Sequence, residues 1–203
     1  SLTRQPPDDF APAWVEGRPE SADAYVALGD FYFDAGNREK SIAEYDRALT
    51  LNDRLGKAHD RTAAMFWEMN RRDDAMTRWR AAITAFSATL DQRNLPDSLW
   101  TDLGAMFDNL TSRGLIEGLR AELEPLLDKY IRRHSSYRLN DLLGSYVSAS
   151  PTQGAAWIVD LSRRVPDAVG FLNPLIEAPW IPQAARDPLF RRALELADQK
   201  VAQ

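Results

Sequence analysis

Cysteine is absent from the 203-residue chain, which excludes disulfides, cysteine-ligated metals and thiol nucleophiles. Histidine is scarce: His59 and His134 have no serine or carboxylate at a spacing that implies a triad. No glycine-rich phosphate loop occurs either. Glu122 and Glu124 would face different sides of one helix, so paired-carboxylate chemistry is not expected. No apolar run approaches the roughly eighteen residues needed to cross a bilayer, and no membrane insertion is expected. The opening "SLTRQPPDDF" lacks both Met and a signal-peptide apolar core, so an excised or processed chain is one reading. Localisation stays open between cytoplasm, periplasm and secretion for a chain expected to be soluble. An excess of positive charge is also missing. Lys and Arg number 25 against 30 Asp and Glu, a net charge of −5, which argues against a generic phosphate-binding surface. Arginine pairs at 71–72, 132–133, 163–164 and 191–192 are dispersed among acidic neighbours and read as solvated helix faces. No catalytic, cofactor or metal residues are expected, and the chain reads as non-enzymatic.

What the sequence does hold is an internal repeat. Laying Ala22–Leu49 over Gly56–Ile83, a shift of 34, sets Leu28 and Gly29 on Thr62 and Ala63, and Tyr32 on Phe66. Ser41 falls on Ala75, Tyr45 on Trp79 and Ala48 on Ala82. Small residues match small ones and large aromatics match large ones. Tyr25, Leu28 and Tyr32 share one helical face; Ser41, Tyr45 and Ala48 share another. Gly36–Asn37 and Asn70 supply the turns between them. Each unit therefore reads as a helix–turn–helix pair that must stack on a neighbour to bury its apolar face.

The stretch "DAYVALGDFYFDAGNREKSIAEYDRALTLND" resembles the tetratricopeptide repeat, with its W-x-x-L-G-x-x-Y, A-x-x-x-F, A and P pattern. Tyr25 stands for the Trp; Leu28, Gly29 and Tyr32 match; Ser41, Tyr45 and Ala48 follow; Asp53 replaces the final Pro. In the second unit His59 and Thr62 hold the first two positions. "SLWTDLGAMFDNLTSRG" repeats the first-helix pattern with Trp100, Leu103, Gly104 and Phe107, seven residues late. The row Met76, Trp79, Ile83, Phe86, Leu90 explains the delay, because it extends the preceding helix by about two turns. Its partner helix carries Leu115, Leu119, Leu123, Leu126, Leu127, Tyr130 and Ile131, with a kink expected at Pro125. A fourth unit keeps Leu143, Gly144 and Ala156 but has Asp160 where an aromatic should stand.

The resemblance implies an all-α, right-handed α-α superhelix, a solenoid of three to four such hairpins with a helical C-terminal cap. Residues 1–21 form an irregular, proline-rich lead-in. The array covers 22–170, with units near 22–55, 56–96, 97–136 and 137–170. Residues 171–203 cap it: an apolar, proline-punctuated segment, then a helix started by Asp187-Pro188 with Leu189, Phe190, Ala193, Leu194, Ala197 and Val201 on its packed side. Segment 171–182 could alternatively fold back into the groove.

In this family the first helix of each pair lines a concave face, which implies a partner-binding groove. Carried over, its positions are Asp23, Val26, Asp30 and Phe33; Lys57, Asp60, Ala64 and Trp67; Ser98, Thr101, Ala105 and Asp108. The Lys/Asn/Arg carboxylate clamp of peptide-binding members is missing from these places. The acids at 23, 30, 60 and 108 would repel an acidic tail and attract a basic or basic-apolar segment, with Phe33 and Trp67 as cation–π platforms. Packing at the groove edge is the alternative reading of those two rings. The expected function is a protein–protein interaction scaffold, without nucleic-acid or cofactor binding. A structural or self-association module of a larger protein is the alternative, and an RNA-binding helical repeat a further one.

Overall fold

In the computed structural model of the chain, the described residues are 15, 17–133, 143–144, 146–148, 150–163, 168–179 and 181–201. His134 lies outside them. Among them, every regular element is a helix. In chain order these are α1 (Ala22–Asp34), α2 (Arg38–Leu51), α3 (Gly56–Glu68), α4 (Arg72–Leu90) and α5 (Leu99–Ser112). A 3-10 turn at Glu117–Leu119 leads into α6 (Arg120–Arg133), and α7 (Pro151–Leu161), α8 (Ala168–Glu177) and α9 (Gln183–Val201) follow. The chain divides into two compact units, Ser1–Thr89 and Leu90–Gln203.

In the first unit, α1 opens on Ser21, whose hydroxyl accepts from the Ala24 amide at 3.3 Å, satisfying one of the orphan donors of the first turn. It ends on Gly36 at φ 75°, and the Asn37 amide donates to the Tyr32 carbonyl at 2.9 Å, a glycine-type helix stop. Thirty-four residues later α3 ends the same way on Asn70 at φ 61°, with the Arg71 amide donating to Phe66 at 2.8 Å. Asn37 then caps α2 through the Lys40 amide.

Helices α1 and α2 pack along each other, and α2 packs on α3. The contact of α1 with α2 is close at the predicted small residues. The Ser41 hydroxyl donates to the Gly29 carbonyl at 2.8 Å, and a Cβ on Gly29 would sit 2.7 Å from the Tyr45 ring. Tyr45, Ala48, Ala63, Ala75, Trp79 and Ala82 are all fully buried. The expected extension of α4 is present, with Ile83, Phe86 and Leu90 buried along it.

The consecutive aromatics of α1 divide between two clusters. Tyr32 packs with Val15 and Leu28, and Phe31 leans on that cluster, edge-on to Tyr32 at 5.4 Å. Phe33 joins the other cluster, with Tyr45, Leu49, Ala58 and Met65.

In the second unit Trp100 stands edge-on to Tyr130 at 5.0 Å, above a core of Leu103, Phe107, Leu119, Leu123 and Leu127. Three expectations are corrected in this unit: the small contact of α7, the start of α9 and its packed side. A Cβ on Gly104 would meet nothing within 4 Å, so this glycine is not a close-approach point. Helix α6 runs on through Pro125, whose ring stands exposed. In α7 the buried residues are Gly154, Ala155, Ile158 and Leu161, while Ala156 is exposed. A Cβ on Gly154 would lie 3.0 Å from the Val147 backbone. The small contact thus comes earlier than the repeat register set it, because Pro151 starts the helix directly after Ser150. Finally, α9 begins at Gln183 rather than at Asp187-Pro188: the Pro182 carbonyl accepts from the amides of both Ala185 and Arg186. Pro188 lies inside the helix; the carbonyl its missing N–H leaves over belongs to Ala184, which is exposed to water. Leu189 is buried, but Phe190 and Leu194 are about half exposed.

Candidate functional site

The predicted groove residues of the first unit fall into three kinds. Asp23 is exposed and Val26 half-buried against the Tyr45 cluster. Asp30 is held inside a network: its carboxylate accepts from the Tyr45 hydroxyl at 2.6 Å and from Lys57 Nζ at 2.6 Å. Burial, and then the Asp30 acceptor, push the Tyr45 phenol well above its ordinary range, so it stays a proton donor. Asp60 is only 2 % exposed and accepts from Trp79 Nε1 at 2.9 Å. Ala64 is buried beside it in the chain.

Two of the groove acids read from the sequence are therefore engaged within the protein. Of the groove's three acids in this unit, Asp60 serves a core indole and Asp30 is paired with Lys57. The aromatic platforms are occupied too. The Arg61 guanidinium lies 4.7 Å over the Phe33 ring, and that of Arg72 lies 3.7 Å over Trp67 while donating to the Trp67 carbonyl at 3.0 Å. Trp67 also leans on Trp79 at 5.7 Å. Phe33 and Trp67 are both half-buried. Sequence reasoning missed Arg61 and Arg72, although each lies within a turn or so of a groove position.

In the second unit, Ser98, Thr101 and Asp108 are exposed and Ala105 is half-buried on α5. A charged cluster on α6 went unread. Arg120 donates to Tyr146 at 2.9 Å and to Glu117 at 2.7 Å, and the Tyr146 hydroxyl donates to Glu124 at 2.6 Å. The Glu117–Arg120–Glu124 spacing of three and four was visible in the sequence; the arrival of Tyr146 was not.

His59 sits in the core, as its repeat position implies, 8 % exposed. Its Nε2 donates to the Asp53 carbonyl at 3.0 Å, while Nδ1 is buried without a partner. Burial lowers its affinity for a proton and nearby Arg78 adds to that; the Asp53 carbonyl and the Asp53 and Asp46 carboxylates oppose it. The folded state thus binds fewer protons than the unfolded one. His59 contributes its full stability above the ordinary histidine range, near pH 6.5, and loses it as pH falls through that range. In urea unfolding at about pH 7.5 and about pH 5.5, the wild type is expected to lose more stability on acidification than His59→Gln. Equal losses would refute this assignment.

Among the described residues, no three His, Cys, Asp or Glu side chains converge to hold a metal ion, and no helix is long and apolar enough to cross a membrane. No protein-family model matches the chain, and a search of curated proteins returns no match.

Proposed function

We propose that the chain is a non-catalytic interaction scaffold of tetratricopeptide type, with its helical hairpins stacked as a right-handed superhelix. A partner segment lies on the α1/α3 face of the first unit. The observation that carries this reading is the pair of arginine–aromatic stacks, Arg61 on Phe33 and Arg72 on Trp67. Each sets a guanidinium over a ring with no carboxylate partner among the described residues; Arg72 gives one N–H to the Trp67 carbonyl, and the remaining donors of the two arginines are left for a ligand. Guanidinium groups held in this way are suited to bidentate capture of carboxylates.

This changes the preferred partner. The basic segment expected from the acids would have to displace Lys57 from Asp30 and would find both rings covered. An apolar segment carrying acidic side chains gains the two stacked arginines and places its apolar groups beside the half-buried Phe33 and Trp67.

Two peptides of equal length, alternating Leu and Phe with either Glu or Lys, test the choice. Titration is read by isothermal calorimetry. The Glu peptide is expected to bind more tightly, and Arg61→Glu/Arg72→Glu to weaken it by about tenfold or more. Preference for the Lys peptide would return the site to Asp23 and Asp30. Binding of neither peptide would count against the groove itself.

A further inference from the structure

Helix α9 buries one face and leaves another bare. Ala185 and Leu189 are fully buried, and Arg192 Nε donates to the Ser162 hydroxyl at 2.8 Å, as α9 packs against α7 and α8. Turned away from these residues, Phe190 is 52 % and Leu194 50 % exposed, and Ala197 is exposed in line with them. Intervals of four and three residues are the seam spacing of paired helices.

Two further exposed residues, Arg191 and Asp198, flank this seam on the same side. Neither makes an ion pair or hydrogen bond among the described residues, although the neighbouring Arg192 is paired with Glu195 at 2.9 Å. In an antiparallel helix pair, positions on the same flank face each other across the two-fold axis. A seven-residue separation sets each Arg191 opposite the partner's Asp198, and the symmetry makes the contact twice. A parallel pair would not bring these side chains together.

We propose that α9 is a homodimerisation helix that pairs antiparallel with α9 of a second copy. Phe190, Leu194 and Ala197 form the apolar seam, and two Arg191–Asp198 ion pairs set its register and direction. So short a seam buries less area than the roughly 1,200 Å² of ordinary stable interfaces, so the dimer is weak and concentration-dependent.

Sedimentation equilibrium of the full chain tests this. The wild type is expected to dimerise with rising concentration, and Leu194→Glu to remain monomeric. Arg191→Asp alone and Asp198→Arg alone each create two like-charge contacts and should weaken the dimer by about tenfold. Mixed in equal amounts, these two variants should recover it as a heterodimer, and the double variant Arg191→Asp/Asp198→Arg should recover it as a homodimer. All three substituted positions are exposed, so circular dichroism is expected to be unchanged. A wild type that stays monomeric at every concentration overturns the proposal. So does a mixture that associates no better than its components, which would hand the apolar face to another partner.

Discussion

Trp79→Ala is expected to be among the most destabilising single substitutions in the first unit, costing about 3–5 kcal/mol. The indole is fully buried, so its removal leaves a cavity that α3 and α4 can only partly close. It also strips Asp60 of the Nε1 donor at 2.9 Å, leaving a carboxylate that is 2 % exposed short of a hydrogen bond in a poorly solvated place. Trp79→Phe separates the two effects. It keeps most of the packing and loses the donor, and should cost about 1–3 kcal/mol. Urea unfolding followed by far-ultraviolet circular dichroism measures both. If Trp79→Phe equals the wild type, the Asp60–Trp79 bond contributes nothing and Asp60 is no structural acid.

Asp60 also shows where sequence reading stops. A repeat position names the helix face but not the depth to which that face is sunk. Depth depends on which side chains arrive from the next helix, and those are set by long-range packing. Val26, Asp60 and Ala64 were all read as groove positions; the structure buries the last two and half-buries the first. Conversely, the 34-residue offset did foretell that Tyr45 and Trp79 would occupy equivalent core places, because large-opposite-small pairs are local enough to be written in spacing. The central aromatics of both hairpins of the first unit, Tyr45 and Trp79, donate to a first-helix aspartate, yet at different repeat positions, Asp30 and Asp60. No period in the sequence could reveal that.

The misreadings in the second unit have an equally physical source. Proline was taken as a helix starter at Asp187-Pro188, whereas Pro182 had already started α9. Pro188 lies in the second turn of α9, and the residue whose carbonyl it fails to bond, Ala184, is exposed. Phe190 and Leu194 were assigned to the packed side because apolar periodicity alone does not say which of two apolar stripes meets the core. Their half-exposure gives them a different use.

Two glycines at the same repeat position make the sharpest comparison. Gly29 and Gly104 both match the family's small residue, and each lies inside a helix, α1 or α5. Alanine is favoured over glycine in a helix interior by about 1 kcal/mol, so propensity alone predicts that both substitutions stabilise. At Gly104 nothing lies within 4 Å of the added carbon, and Gly104→Ala should raise stability by up to about 1 kcal/mol. At Gly29 the carbon would lie 2.7 Å from the Tyr45 ring. That ring cannot swing aside, since it is fully buried and its hydroxyl is held by Asp30 at 2.6 Å. Helix α1 must instead shift away from α2, which strains the Ser41 bond to the Gly29 carbonyl. Overpacking of this kind costs about 1–3 kcal/mol, enough to overturn the propensity gain. The two variants should therefore move the unfolding midpoint in opposite directions. Combining Gly29→Ala with Tyr45→Leu should cost less than the sum of the two single losses, since the smaller side chain removes the clash. If Gly29→Ala stabilises as Gly104→Ala does, the close contact of α1 with α2 is not what holds this hairpin together.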